Sequence, residues 1–119
     1  MKQGEIWLIS LDPVVGAEIN KTRTAIIIND DALGILPLKI IIPVTEWKTR
    51  YVNAPWFVKI DSSENTGLTK DSAADCFQIR SAFDSRLIKK LGKVDQASLE
   101  KIQYALSKVL SIHLFEKFE

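Results

Sequence analysis

A charged segment between two apolar runs carries the residues of this 119-residue chain that are best suited to chemistry. The segment from Asp12 to Ala25 (DPVVGAEINKTRTA) holds four candidates, which are Glu18, Lys21, Thr22 and Arg23. Pro13 cannot donate to a sheet and Gly16 permits a turn, so the segment is predicted to be a loop between two strands. Functional side chains are often placed on loops between rigid strands. The alternative is a solvated loop whose ions pair with one another.

The histidine and cysteine content excludes several kinds of site. His113 is the only histidine, which removes most Ser/His/Asp and Cys/His arrangements and any metal centre built from several histidines. It is predicted to be packed on the apolar stripe of a C-terminal helix. Cys76 is the only cysteine, which excludes an internal disulfide, and it is predicted to be a small buried hydrophobic residue. The sequence has no Walker-type loop and no dinucleotide motif. We therefore expect no metal and no cofactor, and catalysis by Arg, Thr, Glu or Lys.

Composition indicates an ordinary globular protein, with 46% apolar and 26% charged residues, and a single domain over residues 1–119. The net charge of +1 does not indicate a nucleic-acid binder. Positive charge is concentrated locally, in segments 39–59 and 80–93, and could hold a phosphodiester backbone, although solvated lysines would give the same pattern. There is no run of membrane-spanning length and no signal-peptide core, so a cytoplasmic location is expected.

The order of the predicted elements indicates the fold class. Strands are predicted where β-branched and aromatic residues alternate or cluster, at residues 5–11, 25–29, 38–44, 56–60, 72–83 and 87–94. The third strand is expected to end near Pro43 and Thr45, Gly92 to break the last strand, and Trp56 to pack internally. Apolar residues then recur at helical spacing, with Asp95 as the N-cap, at Leu99, Ile102, Leu106 and Val109. This order predicts a mainly β (α+β) fold, a small, strongly curved β-barrel with a C-terminal helix.

Several segments in order resemble one known family. They are GEIWLISLDPVVGAEINKTRTA (Gly4 to Ala25), IIIPVTEWK (Ile40 to Lys48), GLTKDSAADCFQIRSAFDSRL (Gly67 to Leu87) and the C-terminal helix. Together they resemble the MazF/PemK/Kid-like toxins, a family of small bacterial and archaeal endoribonucleases. The resemblance implies an SH3-like barrel that cleaves single-stranded RNA as an mRNA interferase. It also implies a homodimer with RNA along the interface, and a cognate antitoxin whose disordered acidic tail covers that groove.

The resemblance also implies the catalytic pair. The arginine of the KTR segment and the threonine of the PVT segment correspond to Arg23 and Thr45, and the implied products are a 2′,3′-cyclic phosphate and a 5′-hydroxyl. The arginine fork can hold two phosphoryl oxygens, and the threonine hydroxyl can donate to the same oxygens or to the leaving group. A guanidinium with a pKa above about 12 is a poor general base. Glu18 is therefore the candidate for the base or for orienting Arg23, and simple charge pairing is the alternative role.

Further residues are candidates for contacting RNA. Trp47 and Tyr51 can stack on unpaired bases. Polar or cationic contacts are expected from Lys21, Thr22, Lys48 and Arg80. Two positions depart from the family pattern, since Thr24 stands where many members have proline and Glu46 where many have serine or threonine. Glu46 would repel a phosphate unless it pairs with Lys48 or reads a base edge.

Two other functions are compatible with the same barrel. One is a CcdB-like toxin that binds a topoisomerase and cleaves nothing, and the other is a non-catalytic RNA-binding barrel. Incubation of the pure protein with labelled RNA and EDTA separates the first from a nuclease, since it would owe nothing to Arg23 and Thr45. Arg23→Ala and Thr45→Ala separate the second, because a nuclease should lose cleavage while retaining RNA affinity. The sequence identifies neither the RNA recognition sequence nor the antitoxin.

Overall fold

The computed structural model describes residues 1–10 and 22–113 of the chain. Within these residues one antiparallel sheet is followed by one α-helix. The elements are β1 (Glu5–Ser10), β2 (Thr22–Ile27), β3 (Leu38–Glu46), β4 (Phe57–Ile60), β5 (Ser72–Asp75), β6 (Arg80–Phe83), β7 (Leu87–Lys93) and α1 (Gln96–Val109). No helix in this part of the chain is both long and apolar enough to cross a membrane.

The sheet runs in the order β4-β5-β3-β2-β1-β7 and is strongly curved without closing, which confirms the predicted fold class. β3 is its centre, because β2 pairs along one side while β6 and then β5 pair along the other. Pro43 lies inside this strand, which ends at Glu46, just beyond the predicted end near Pro43 and Thr45. It lies between the last β6 pair at Ile41 and the first β5 pair at Val44, where a residue without an N–H is tolerated in a sheet.

Alternation along the central strands gives the sheet two covered faces. Ile6, Ile26 and Ile42 point to one face and pack with Leu99 and Ile102 of α1. The neighbouring residues in the same strands point to the other face, where a second cluster is formed by Ile9, Ala25, Ile27, Ile41 and Ala82. This arrangement confirms the prediction that both faces of β1 are covered. The site described below lies on the face opposite α1.

The predicted strand over residues 72–83 is wrong, because it is two strands separated by a 3₁₀ turn at Cys76–Gln78. The Asp75 carboxylate caps this turn by accepting a hydrogen bond from the Phe77 N–H at 3.2 Å. The turn moves the chain from a position beside the end of β3 to one beside its beginning.

Gly92 does not break the last strand, which runs through it to Lys93. The turn at residues 63–67 instead lies directly against this glycine, since a Cβ there would stand 2.3 Å from the Asn65 oxygen. Gly67 in turn lies against the backbone of Leu91, the residue before Gly92, and its φ of +69° suits glycine. The close approach of the two backbones thus explains why residue 92 is a glycine, although it was predicted to break the strand.

Helix α1 begins as predicted, with the Asp95 carboxylate accepting from the Ser98 N–H at 2.7 Å. This hydrogen bond lowers the pKa of Asp95. The helix ends at Val109, and Ser111 adopts a left-handed φ of 54°. His113 is exposed and lies beyond the helix, so its predicted place on the packed helical stripe is wrong.

Candidate active site

Four neighbouring strands bring polar residues to the same end and the same face of the sheet. Thr24 pairs with Val44, so Arg23 and Thr45 follow one position further along β2 and β3. Thr45 pairs with Ala73 of β5, and Asp75, two residues beyond Ala73, pairs with Phe57 of β4. Because side chains two residues apart share a face, the side chains at 23, 45, 57 and 75 all point away from α1.

These residues line one surface cavity of about 540 Å³, which is in the size range of small-molecule sites. Its lining consists of Arg23, Pro43, Val44, Thr45, Tyr51, Phe57, Asp75 and Gln78. The cavity therefore brings the proposed pair Arg23 and Thr45 together with Tyr51, a proposed stacking residue.

Arg23 and Thr45 are both exposed, so neither side chain is enclosed by the hydrophobic interior. Arg23 was predicted to lie in a loop, but β2 begins at Thr22 and pairs Arg23 with Ile9. Thr45 likewise lies inside β3, which continues to Glu46. Both backbones are thus held in the sheet, which fixes their positions better than a loop would.

Asp75 and Gln78 also line the cavity and were not among the proposed site residues. Asp75 is buried, and its Oδ2 accepts a hydrogen bond of 2.7 Å from Gln78 Nε2. The sequence contained one signal for this pair, since Asp75 stands on the same alternating parity as Phe77 and Ile79 in a segment interpreted as a strand. A carboxylate at an apolar position of a strand is unusual and indicates a specific partner.

Cys76 follows Asp75 and is buried, as predicted. Burial, together with the neighbouring Asp75 charge, raises the pKa of its thiol to about 12. A thiol that stays protonated is a poor nucleophile, so Cys76 contributes packing in the core cluster shared with α1 rather than chemistry.

Aromatic side chains extend from the cavity along the surface. Tyr51 stacks on Phe57 with ring centroids 3.8 Å apart, and Trp47 meets the Tyr51 ring edge-on at 5.8 Å. Trp56 packs against Phe57 and Phe77, but it remains 37% exposed, so its assignment to the interior was too simple. The rings form a continuous array, and the predicted stacking residues Trp47 and Tyr51 belong to it.

Three other proposed RNA contacts, Thr22, Lys48 and Arg80, lie outside the cavity lining. Thr22 and Lys48 are exposed, and Arg80 Nε donates to the Ser81 carbonyl at 3.2 Å. Glu46 is exposed, and no ion pair joins it to Lys48 in the part of the chain that the structure describes. Glu18 and Lys21 lie outside the described residues.

Fewer cationic side chains are free to bind RNA than the positive charge of segments 39–59 and 80–93 indicates. Lys39 is buried, Lys59 lies 3.8 Å from an Asp71 carboxylate oxygen, and Lys90 lies 3.0 Å from one of Glu5. Among residues 1–10 and 22–113 no three His, Cys, Asp or Glu side chains are grouped so that they could hold a metal ion.

Comparison with known proteins identifies the family. The model of the PemK-like, MazF-like toxin of type II toxin-antitoxin systems matches residues 2–110. Endoribonuclease MazF9 of Mycobacterium tuberculosis is 32% identical over 112 residues, covering 89% of this chain and 92% of its own length. Endoribonuclease PemK of Escherichia coli is 30% identical over 113 residues, covering 93% and 83%.

Solved structures agree with the fold. A MazE-MazF structure from Deinococcus radiodurans superposes with a TM-score of 0.77 at 20% identity, over 95% of this chain and 97% of that one. An endoribonuclease in complex with its cognate antitoxin from a mycobacterial species gives 0.74 at 18% identity, over 96% and 98%. The match over residues 2–110 and the similarity to the two curated endoribonucleases show that the chain belongs to the PemK-like, MazF-like toxins of type II toxin-antitoxin systems.

Proposed function

We propose that this protein is a sequence-selective endoribonuclease that cleaves single-stranded RNA without a metal ion, as the toxin of a toxin–antitoxin pair. The observation that carries the proposal is the position of Arg23 and Thr45, exposed at one end of adjacent strands and lining one cavity. The family and the curated relatives named endoribonucleases support it.

RNA supplies its own nucleophile, the 2′-hydroxyl. The side chains of the cavity therefore have to position the RNA and stabilise the reacting phosphate more than to provide an activated nucleophile. The 2′-hydroxyl oxygen bonds to the adjacent phosphorus, and the bond from phosphorus to the 5′-oxygen breaks. This leaves a 2′,3′-cyclic phosphate on one fragment and a 5′-hydroxyl on the other. Arg23 holds two non-bridging oxygens with its planar fork, which stabilises the charge that develops on the phosphorane. Thr45 donates its hydroxyl proton in a hydrogen bond to the same oxygens or to the leaving oxygen.

The two proton transfers need further groups. One proton leaves the 2′-hydroxyl and one reaches the 5′-oxygen, and a guanidinium is too weakly acidic to exchange protons easily at neutral pH. We assign the base, or the orientation of Arg23, to Glu18. Lys21, Thr22, Lys48 and Arg80 are assigned to the RNA backbone, and Trp47 and Tyr51 to stacking on bases.

The partners follow from the family. Relatives have been solved as a MazE-MazF pair and in complex with a cognate antitoxin. We therefore assign this toxin a cognate antitoxin that binds over the cavity face and blocks RNA. We also assign it a homodimeric state and a cytoplasmic location, where its RNA substrate is found.

The test is cleavage of a long labelled transcript by the purified protein in EDTA, with mapping of both new ends. We expect cuts at a short recurring sequence, with cyclic phosphate and 5′-hydroxyl termini. Arg23→Ala and Thr45→Ala should each lower the single-turnover rate by about 100-fold or more, while RNA affinity changes much less.

Matched controls are Lys101→Ala, which removes an exposed cation on α1, and Thr69→Ala, which removes an exposed threonine in a turn. Both should cleave like the wild type. Binding without cleavage by the wild type would favour a non-catalytic RNA-binding barrel, and neither binding nor cleavage would favour a topoisomerase-binding toxin. Equal cleavage by wild type and both cavity variants would reject the assigned mechanism.

A further inference from the structure

We propose that Asp75 fixes the orientation of the Gln78 amide, and that Gln78 thereby selects the base that enters the cavity next to the scissile phosphate. The selected base is one that carries an exocyclic amino group, in preference to uracil. This inference rests on the proposed action on RNA and adds a specificity-determining residue and a positioning residue to it.

The geometry of Asp75 is the first support. Its side chain is 9% exposed, and both carboxylate oxygens are engaged within the same short turn. Oδ1 accepts from the Phe77 N–H at 3.2 Å, and Oδ2 accepts from Gln78 Nε2 at 2.7 Å. The second hydrogen bond has the short length typical of a charged acceptor. A buried carboxylate in a cavity for a polyanion is unfavourable in itself, which indicates a specific role.

An ionised carboxylate can only accept hydrogen bonds, so Gln78 must turn its nitrogen toward Asp75. The amide oxygen then has one defined position, whereas a free glutamine side chain could present either end. Among residues 1–10 and 22–113, the Gln78 side chain makes no other hydrogen bond, so Oε1 is available as an acceptor at the cavity wall.

The donor and acceptor groups of the bases determine which base Gln78 Oε1 would select. Adenine, cytosine and guanine carry an amino group that can donate to Oε1, whereas the only donor on the pairing edge of uracil is N3–H, which lies between two carbonyl groups. Turning that edge toward Oε1 brings a uracil carbonyl oxygen close to the amide oxygen, which repels it, and a carbonyl in place of the donor would leave Oε1 unpaired. Tyr51 and Phe57, which line the same cavity, supply aromatic surface beside the base.

Asp75 could instead serve only as the cap of the turn. The variant Asp75→Asn distinguishes this structural role from the proposed role in orienting Gln78. Asparagine also caps well, so its oxygen can keep the hydrogen bond from the Phe77 N–H. Its amide nitrogen would then face Gln78 in place of Oδ2. Gln78 would have to reverse its amide and present a donor to the cavity, which suits a uracil carbonyl.

The experiment uses the full chain and a randomised library of short 2′-O-methyl RNA, which lacks the attacking hydroxyl and can be bound but not cleaved. Bound molecules are sequenced, and the enrichment of each base at each position is compared. The wild type should disfavour uracil at one position, and Asp75→Asn should shift the ratio at that position toward uracil by about tenfold. Gln78→Ala should abolish the preference there.

The double variant Asp75→Asn/Gln78→Ala should show the same enrichment as Gln78→Ala alone, because Asp75 acts through Gln78. Asp30→Asn is the matched control, since Asp30 caps another 3₁₀ turn by accepting from the Ala32 N–H at 2.9 Å and does not line the cavity. It should leave the enrichment unchanged. Gln78 is exposed, so Gln78→Ala remains informative even if Asp75→Asn fails to fold.

Unchanged base enrichment in Asp75→Asn and Gln78→Ala would overturn the inference, and so would a wild type that enriches no base or prefers uracil. Cleavage of ordinary RNA in EDTA is scored separately. Cleavage without any effect of these variants on base choice rejects the inference alone. Base selection by this pair without cleavage rejects the nuclease activity and supports the inference.

Discussion

At the scale of single residues, the cavity combines groups that differ in what they can do. Arg23 and Thr45 can donate to oxygens, whereas Asp75 can only accept and Gln78 can do both. Cys76, the residue after Asp75, stays a thiol because burial and the Asp75 charge raise its pKa to about 12. The arrangement therefore suits the binding and cleavage of a phosphodiester that carries its own nucleophile.

Substitution of Arg23 by lysine tests whether the fork or only the charge matters. Lysine keeps the positive charge but cannot hold two oxygens in the geometry of a guanidinium. We expect Arg23→Lys to lower the single-turnover cleavage rate by about 100-fold, with the Kd for uncleavable RNA nearly unchanged. Quench-flow kinetics and fluorescence anisotropy measure the two quantities. Arg50→Lys, at an exposed position outside the cavity lining, is the control, and equal losses in both variants would contradict a special role for Arg23.

At the scale of elements, contacts between distant backbones decide where strands end. β7 continues through Gly92 because the turn at residues 63–67 lies against it, and the Lys93 N–H donates to the Asn65 carbonyl at 2.9 Å. The 3₁₀ turn at Cys76–Gln78 divides what would be one strand into β5 and β6, which pair with different parts of β3. The same turn brings Gln78 to the cavity.

Substitution of Gly92 by alanine should destabilise the protein through this contact. The new Cβ would stand 2.3 Å from the Asn65 oxygen and 2.5 Å from the Thr66 carbonyl carbon, so backbone has to move. We expect the free energy of unfolding to fall by about 1–3 kcal/mol, as in overpacked sites. Urea denaturation measures it.

Gly34→Ala is the matched control for that substitution, because the nearest atom to its new Cβ is 3.1 Å away and its φ is −81°. It should cost less than about 1 kcal/mol. A Gly92→Ala variant as stable as the wild type would show that the turn does not press on β7.

At the scale of the whole molecule, α1 covers one face of the sheet and leaves the opposite face to the cavity. The β1–β7 pairing, one end of the sheet, is reinforced by Glu5. Its buried carboxylate accepts from the Lys2 N–H at 2.9 Å and from Trp7 Nε1 at 3.0 Å, and Lys90 Nζ lies 3.0 Å away. Burial raises the pKa of Glu5, but these hydrogen bonds outweigh it and lower the pKa to about 2.

This pKa predicts how global stability depends on pH. A carboxyl whose pKa falls from 4.5 in the unfolded chain to about 2 in the folded one stabilises the fold above pH 4.5. That stabilisation is lost progressively as the pH falls from 4.5 to about 2. The full effect is about 3 kcal/mol at neutral pH. Glu5→Gln should therefore be less stable than the wild type at pH 7, and the difference should shrink toward zero near pH 2.

Denaturant unfolding of both proteins across this pH range measures the effect. Glu64→Gln, at an exposed turn position, is the control and should follow the wild-type curve. A constant difference between Glu5→Gln and wild type at all pH values would show that the loss comes from packing and not from ionisation.

The sequence by itself determined the features that depend on short-range chemistry. Alternation predicted that both faces of β1 are covered, and the spacing of Leu99, Ile102 and Leu106 predicted the face of α1 that is buried. Asp95 was recognisable as the cap because a carboxylate before an amphipathic run satisfies free N–H groups of the first turn. The KTR and PVT segments, through their resemblance to the toxin family, also indicated Arg23 and Thr45 as a pair.

The tertiary structure alone decided the features that depend on which segments meet. The closeness of Asp75 and Gln78 to Arg23 and Thr45 follows from the register of β5 on β3, which no local pattern specifies. Gly92 was misjudged because the usual effect of glycine as a breaker applies to an isolated strand, whereas here a neighbouring backbone accommodates it, and a change of partner accommodates Pro43 inside β3. The conformational preference of a segment depends on a few neighbouring residues. The register of paired strands and the close approach of two backbones depend on contacts between residues far apart in sequence.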